Sequence, residues 1–365
     1  MPQSRHSSWL LAGFLLAIAC ILGLLVLLAT GLETGLGGFA VGLLMAVVPV
    51  PFYVALALWI DRFEPEPPWV LGVAFLWGAS IATFFAMIFN TVHEGLLTAV
   101  AGPKNASMLA TVLSAPLVEE IAKGTALLLL FVWKRDEFDD VTDGIIYATM
   151  VGLGFAMTEN IQYYGRALAT QGGGGAAAVF FLRGVLGPFA HPLYTSMTGI
   201  GFGFARESDR PRTKWLAPLL GLGGAILLHG IWNLSASFGV VFFAAYFLIM
   251  VPAVIAVGVI AYFSLRREAR MIRAQLAEVV ATGVLSAEDV DVVTSVSRRL
   301  SASSRALFGG GYRQWIERRR FHALATELAF HSWRASRALQ DDVGATHSQL
   351  VDQVRASRAR LGLAT

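Results

Sequence analysis

A chain of 365 residues that is 56% hydrophobic and 15% charged, with a mean hydropathy of +0.62, carries more apolar surface than a soluble domain of its length can bury. Its formal charge is only +3, so no nucleic-acid partner is expected, and its single cysteine, Cys20, excludes an internal disulfide and a cysteine-ligated metal site. The composition points to an all-α polytopic membrane protein.

Spans of roughly 20 apolar residues are expected, in chain order, at Trp9–Leu32, Phe39–Ile60, Val70–Phe89, Met108–Trp133, Gly144–Tyr164, Ala178–Phe204, Trp215–Ala236 and Phe238–Leu265. The first is too long for a signal peptide and no A-x-A site follows it, so it reads as a retained anchor. Basic residues gather in every second inter-span loop, always on the same side. Arg5, Arg62, Lys134, Arg135, Arg206, Arg210, Arg212, Lys214, Arg266, Arg267, Arg270 and Arg273 fall on one side, whereas the other carries Lys104 and Arg166, with Arg183 at a helix start. The positive-inside rule then puts both termini in the cytoplasm. Gly172 to Gly175 reads as a flexible external loop, and there is no internal repeat.

Residues 1–265 thus form an eight-helix transmembrane domain, and 266–365 a helical cytoplasmic tail with 16 arginines, no lysine and 10 acidic residues. Its apolar positions recur with helical spacing: Met271, Leu276 and Val279, then Val290, Val293 and Leu300, then Leu324, Leu328 and Leu339. Ser286 with Asp289 reads as a capping box, and Gly309-Gly310-Gly311 as a break. The ArgArgArg run at 318–320 is expected to meet anionic lipid or a protein partner, or to be a solvated face that obeys the positive-inside rule.

The chemistry concentrates in residues 108–236. Span four holds Glu119, Glu120 and Lys123; span five holds Phe155 and Glu159; span six holds His191 between Pro188 and Pro192; span seven holds His229 and Asn233. Ionisable groups at membrane depth cost a few kcal/mol each, so they face one another or a polar cavity. Glu119/Lys123, Phe155/Glu159 and His229/Asn233 are i,i+4 pairs, each on one helix face. A lone Glu119–Lys123 pair reads equally well as structural glue. Three glutamates and two histidines on four consecutive spans are harder to treat as independent. At about 1.5 Å per residue, Glu119, Glu159, His229 and His191 lie about 16, 8, 10 and 20 Å from the outer interface. All four are therefore expected between the outer end and the middle of their spans, His191 at the middle itself, although successive spans run in opposite directions.

Such a pocket suits peptide-bond hydrolysis. A glutamate, Glu119 first, is placed to deprotonate water, while His229 and Asn233 are placed to donate to the oxyanion. His191, His229 and a glutamate (Glu159 or Glu120) are alternatively placed to hold zinc with an open position for water. H-E-x-x-H is missing, and the spacing favours a metal-free site. The serine and aspartyl intramembrane signatures are missing too.

EEIAK (119–123), GFAMTEN (154–160), His191 and HGIWN (229–233), with DRFEPEPP (61–68) and DDVTDGIIYA (139–148), resemble the motif set of the PrsW family. That family is distantly similar to the type II CAAX prenyl endopeptidases and the Abi group. The resemblance covers residues 40–240 and implies a multi-pass protease of a bacterial inner membrane. Its substrate would be a single-pass membrane protein, such as an anti-sigma factor, cut near its external face. The family is classed as metalloproteases, whereas the prenyl endopeptidases look like metal-free glutamate proteases. Glu119, Glu120, Glu159, His191, His229 and Asn233 are carried over as catalytic, with Lys123, Phe155 and Asp143 in support. The competing classes are a proton- or ion-coupled transporter or channel, and a non-proteolytic membrane scaffold.

Overall fold

The computed structural model describes residues 5–63, 65–135, 137–336 and 343–363. The side chain of Arg5, and residues Glu64 and Leu339, all used above, lie outside the described set. Among the described residues the chain is helical throughout, with no strand. In chain order the helices are α1 (Arg5–Val47), α2 (Val50–Ile60), α3 (Pro68–Ala101), α4 (103–133), α5 (Val141–Phe180), α6 (Ala190–Glu207), α7 (Pro211–Ala236) and α8 (Val240–Ala281). These are followed by α9 (Ala287–Val293), α10 (Val296–Ser336) and α11 (Val343–Arg360).

Five stretches are long and apolar enough to cross a membrane: Leu16–Ile60, Pro68–Ala101, Val141–Glu207, Pro211–Ala236 and Val240–Ala281. Two of them, of 45 and 67 residues, are far longer than one crossing needs and are broken by left-handed glycines, Gly35 (φ 70°) and Gly172 (φ 72°). By length and apolarity alone, the expected eight spans are therefore not separately distinguished. Helix α4 is set apart by its charged residues. At Gly172 the reversal takes one left-handed residue with helix on both sides, where the sequence pattern suggests a four-glycine loop.

By its contacts the chain forms two units, one of residues 1–61 and 66–261, the other of 62–65 and 262–365. In the first unit, α5 is the central helix. Asp140 caps it, accepting from the Thr142 and Asp143 backbone N–H groups at 2.6 and 3.2 Å, while Asp143 accepts from the Asp139 and Asp140 N–H groups at 2.8 and 2.9 Å. Asp143 thus acts at the helix start rather than among the reactive groups. Beside it the Tyr147 hydroxyl donates to Glu66, whose backbone N–H donates to Asp61 at 2.8 Å. Both acidic motifs therefore meet at this end of α5.

Helix α5 approaches α6 most closely at glycines. A Cβ on Gly199 would lie 2.0 Å from the Gly144 carbonyl oxygen, and one on Gly152 would lie 2.7 Å from the Pro192 nitrogen. Small residues allow the backbones to approach this closely, which is how helices associate when lipid supplies no hydrophobic drive.

In the second unit, Ile272, Leu276, Val279, Val290, Val293, Phe321, Leu324 and Leu328 form a core that also takes in Phe63. Ser286 caps α9 as expected, its hydroxyl accepting from the Asp289 N–H at 3.1 Å. Leu300 departs from the pattern and is exposed, because Arg299, Ala302 and Ala306 present the buried face of that arm. The glycine break of α10 sits at Gly311, with φ of 76°.

Candidate active site

Four helices deliver the polar groups to one place. Glu119, Glu120 and Lys123 come from α4, Glu159 and Phe155 from α5, His191 from α6 and His229 from α7. Glu120 and Lys123 are fully buried, and Glu119, His191 and His229 nearly so.

Glu120 is the organising carboxylate. Its Oε1 accepts from Lys123 Nζ at 2.8 Å and from His229 Nδ1 at 2.9 Å, and its Oε2 accepts from the Thr195 hydroxyl at 3.2 Å. The sequence pattern pairs Lys123 with Glu119. In the fold that distance is 3.6 Å and the tighter partner is Glu120, one position closer on the same turn. The ammonium also lies 2.9 Å from His191 Nδ1 and 3.9 Å from the centre of the Phe155 ring, a cation–π contact.

The donors fix the imidazole protons. An ammonium only donates, so His191 Nδ1 accepts and Nε2–H donates to Glu159 Oε2 at 3.0 Å. His229 donates from Nδ1 to Glu120, which leaves the Nε2 lone pair free. Opposite it, at 3.8 Å, stands Glu119 Oε2, a buried oxygen with no hydrogen-bond partner. Its other oxygen accepts from Asn90 Nδ2 at 3.3 Å. The site therefore presents one carboxylate oxygen without a hydrogen-bond donor, held only by the Lys123 charge at 3.6 Å, face to face with one open imidazole nitrogen.

Several participants escaped the sequence reading. Arg183, taken there only as a topological charge, sits in a π-helical turn (Phe181–Leu186) and pairs with Glu159, while its Nε donates to Asn160 at 2.7 Å. Tyr194 stacks on His229 at 4.7 Å, and Thr195 and Asn90 hold the two glutamates. Tyr194 and Thr195 lie three and four residues after His191, a helical spacing that places them on its face. Asn233 is placed elsewhere: its Nδ2 donates to the Thr111 carbonyl at 2.9 Å, tying α7 to the turn before Glu119 instead of facing the reactive groups.

Among the described residues, one group could hold a metal ion: Glu119, His191 and His229, whose ligand atoms lie within 4.8 Å of one another. The unpartnered Glu119 oxygen and the free His229 nitrogen fit the nitrogen and oxygen donors that zinc takes. Each histidine has a carboxylate behind it, the usual outer partner of a metal-binding imidazole, but on His191 the lone pair a metal would take is the one that accepts from Lys123, so a bound ion would displace that ammonium. The spacing that favours a metal-free site does not bear on a set drawn from three helices. Glu120, the other carboxylate considered as a ligand, is already engaged by three donors.

A model of the PrsW family of intramembrane metalloproteases matches residues 66–257. Protease PrsW of Geobacillus kaustophilus is 34% identical over 177 residues, 47% of this chain and 69% of that protein. Protease PrsW of Oceanobacillus iheyensis is 33% identical over 151 residues (41% and 63%), and that of Bacillus subtilis 33% over 174 residues (47% and 72%). No solved structure matches. The matched span contains every group of the buried cluster, and the chain belongs to the PrsW family of intramembrane metalloproteases.

Proposed function

We propose that this protease cuts single-pass membrane proteins near their extracytoplasmic face, with Glu119 and His229 as the groups that activate water. The observation that carries the reading is the facing pair of acceptors without a hydrogen-bond donor, Glu119 Oε2 and His229 Nε2, beside a Glu120 carboxylate whose two oxygens are both engaged. A water held between them gives its proton to the Glu119 carboxylate as it attacks the scissile carbonyl. Lys123 and Arg183 are the cations nearest the oxyanion that forms, and both are already oriented by glutamates. Glu120 holds His229 in the tautomer that keeps Nε2 open, and Glu159 holds His191 in the tautomer whose Nδ1 accepts from Lys123.

Glu119, His191 and His229 would hold a divalent ion, most naturally zinc; bound, it supplies a Lewis acid that polarises the carbonyl and acidifies water. The depth of these groups between the outer end and the middle of their spans, and the basic residues on the opposite side, support a bacterial inner-membrane enzyme with both termini in the cytoplasm.

Mass spectrometry of the products from a tagged single-pass substrate tests this reading. The expected cut lies in the outer juxtamembrane third of the substrate helix, faster with helix-breaking residues nearby and slower with leucines. A cut in the cytoplasmic half contradicts both the depth and the orientation.

A further inference from the structure

The second unit carries a surface that proteolysis does not use. Helix α10 turns at Gly311, and around that turn Leu307, Phe308, Tyr312 and Ile316 are exposed, Phe308 at 88% and Tyr312 at 67%. The Tyr312 and Trp315 rings stack at 5.5 Å, and the Arg319 guanidinium lies over Trp315 at 4.9 Å. Residues 298–320 contain seven arginines and one acid, Glu317, and that acid is paired with Arg360 at 2.9 Å. Arg305, Arg313, Arg319 and Arg320 are all exposed. The same helix contributes Phe321, Leu324 and Leu328 to the core, so its apolar residues around the turn have no inner face left to fill.

We propose that this glycine-hinged tip binds the surface of an anionic bilayer, with Phe308, Tyr312 and Trp315 at headgroup depth and the arginines on lipid phosphates. Charge selects that occupant, because a nearly acid-free set of arginines complements an anionic leaflet. Chemistry selects it too: tyrosine and tryptophan settle where one end of a ring is apolar and the other wet. The chain itself tethers the tip to a membrane-crossing stretch, since Val240–Ala281 runs on in sequence to residues 282–365, and such a tether makes weak contacts sufficient. The tip would give the protease a footing sensitive to leaflet charge.

The test uses the full chain with Cys20→Ser and Ser304→Cys, labelled from outside with an environment-sensitive fluorophore after reconstitution in vesicles. One set of vesicles is phosphatidylcholine alone; the other contains about 30 mol% phosphatidylglycerol. The expected result is a blue-shifted label shielded from aqueous iodide only in the anionic vesicles, and released by about 0.5 M salt. Combining Arg305→Gln, Arg313→Gln, Arg319→Gln and Arg320→Gln should lower the ratio of shielded to free label by at least about a hundredfold. Equal iodide access in both vesicles overturns the proposal, as does equal shielding in both. Shielding in detergent that rises with protein concentration also overturns it, by assigning the tip to a second copy.

Discussion

Lys123 shows how far a single residue is readable. Its presence one turn after two glutamates marks a buried charge cluster from sequence alone, because an ammonium at that depth needs anions around it. Its choice of Glu120 over Glu119 is not readable, since i,i+3 and i,i+4 partners are equally reachable on a helix. That choice is settled by His229 and Thr195, which arrive from other helices to share Glu120. The outcome matters, because it leaves Glu119 Oε2 without a hydrogen-bond donor, with Lys123 only at 3.6 Å. Lys123→Met removes the cation shared by both glutamates and leaves Glu120 without its closest ionic partner. Breaking a buried pair on one side costs about 3–5 kcal/mol. Thermal unfolding of the detergent-solubilised variant should show a clear fall in midpoint; an unchanged midpoint would mean that the cluster does not depend on this charge.

The helices themselves are legible as apolar runs, but their ends and contacts are less so. Helix α3 continues to Ala101, well past the apolar run that ends near Phe89, because polar residues such as His93 and Glu94 are compatible with helix outside the hydrocarbon. Contact between α5 and α6 rests on glycines, which carry no hydrophobic signal. Gly152 is the position closest to the chemistry, because an added Cβ would press on the backbone of His191 and Pro192 at 2.7–2.8 Å. Moving that backbone moves the imidazole, and misplacement by about 1 Å costs on the order of 100-fold in rate. Gly152→Ala should therefore lower cleavage at least tenfold with helical content kept. Gly223→Ala, where nothing lies within 4 Å, should be near neutral. Equal activity of the two variants would remove α5–α6 contact from the account of the site.

At the scale of the molecule, helical spacing in the sequence marks apolar positions such as Leu276, Val290 and Leu324 that the core of the second unit uses, but nothing there marks Phe63. One aromatic in an acidic, proline-rich loop gives no sign that it joins a core formed by residues some 200 positions later. The two units should answer pH in opposite directions. Burial pushes Asp61 up to about 7, against the pull of the Glu66 N–H, and pushes Glu66 up to about 9, against the Tyr147 hydroxyl. Both carboxyls bind protons more tightly folded than unfolded, so their contribution to the first unit is full below about pH 4 and is lost as pH rises through 7 and 9. His322, pushed down to about 3 by burial and then by Arg299 and Arg318, works the other way. Its contribution to the second unit is present above about 6.5 and is lost as pH falls toward 3. Hydrogen exchange resolved by unit should show α9–α11 loosening in acid, less so in His322→Gln, and the start of α5 loosening in alkali. Loosening of both units on the same side of neutrality would contradict these assignments.

The central claim is that the buried Glu119–His229 pair hydrolyses peptide bonds inside the membrane, and one assay bears on it most directly. Purified wild-type protein and Glu119→Gln are reconstituted with a tagged single-pass substrate, and product is followed in time, with chelator and with zinc added back. The account predicts cleavage by wild type and a loss of about 10²–10⁴ in the variant, the worth of a general base. Loss on chelation with recovery in zinc would add Glu119, His191 and His229 as ligands. Cleavage by Glu119→Gln within about twofold of wild type, far inside the range for a general base, would contradict it, as would ion flux through the vesicles without any cleavage.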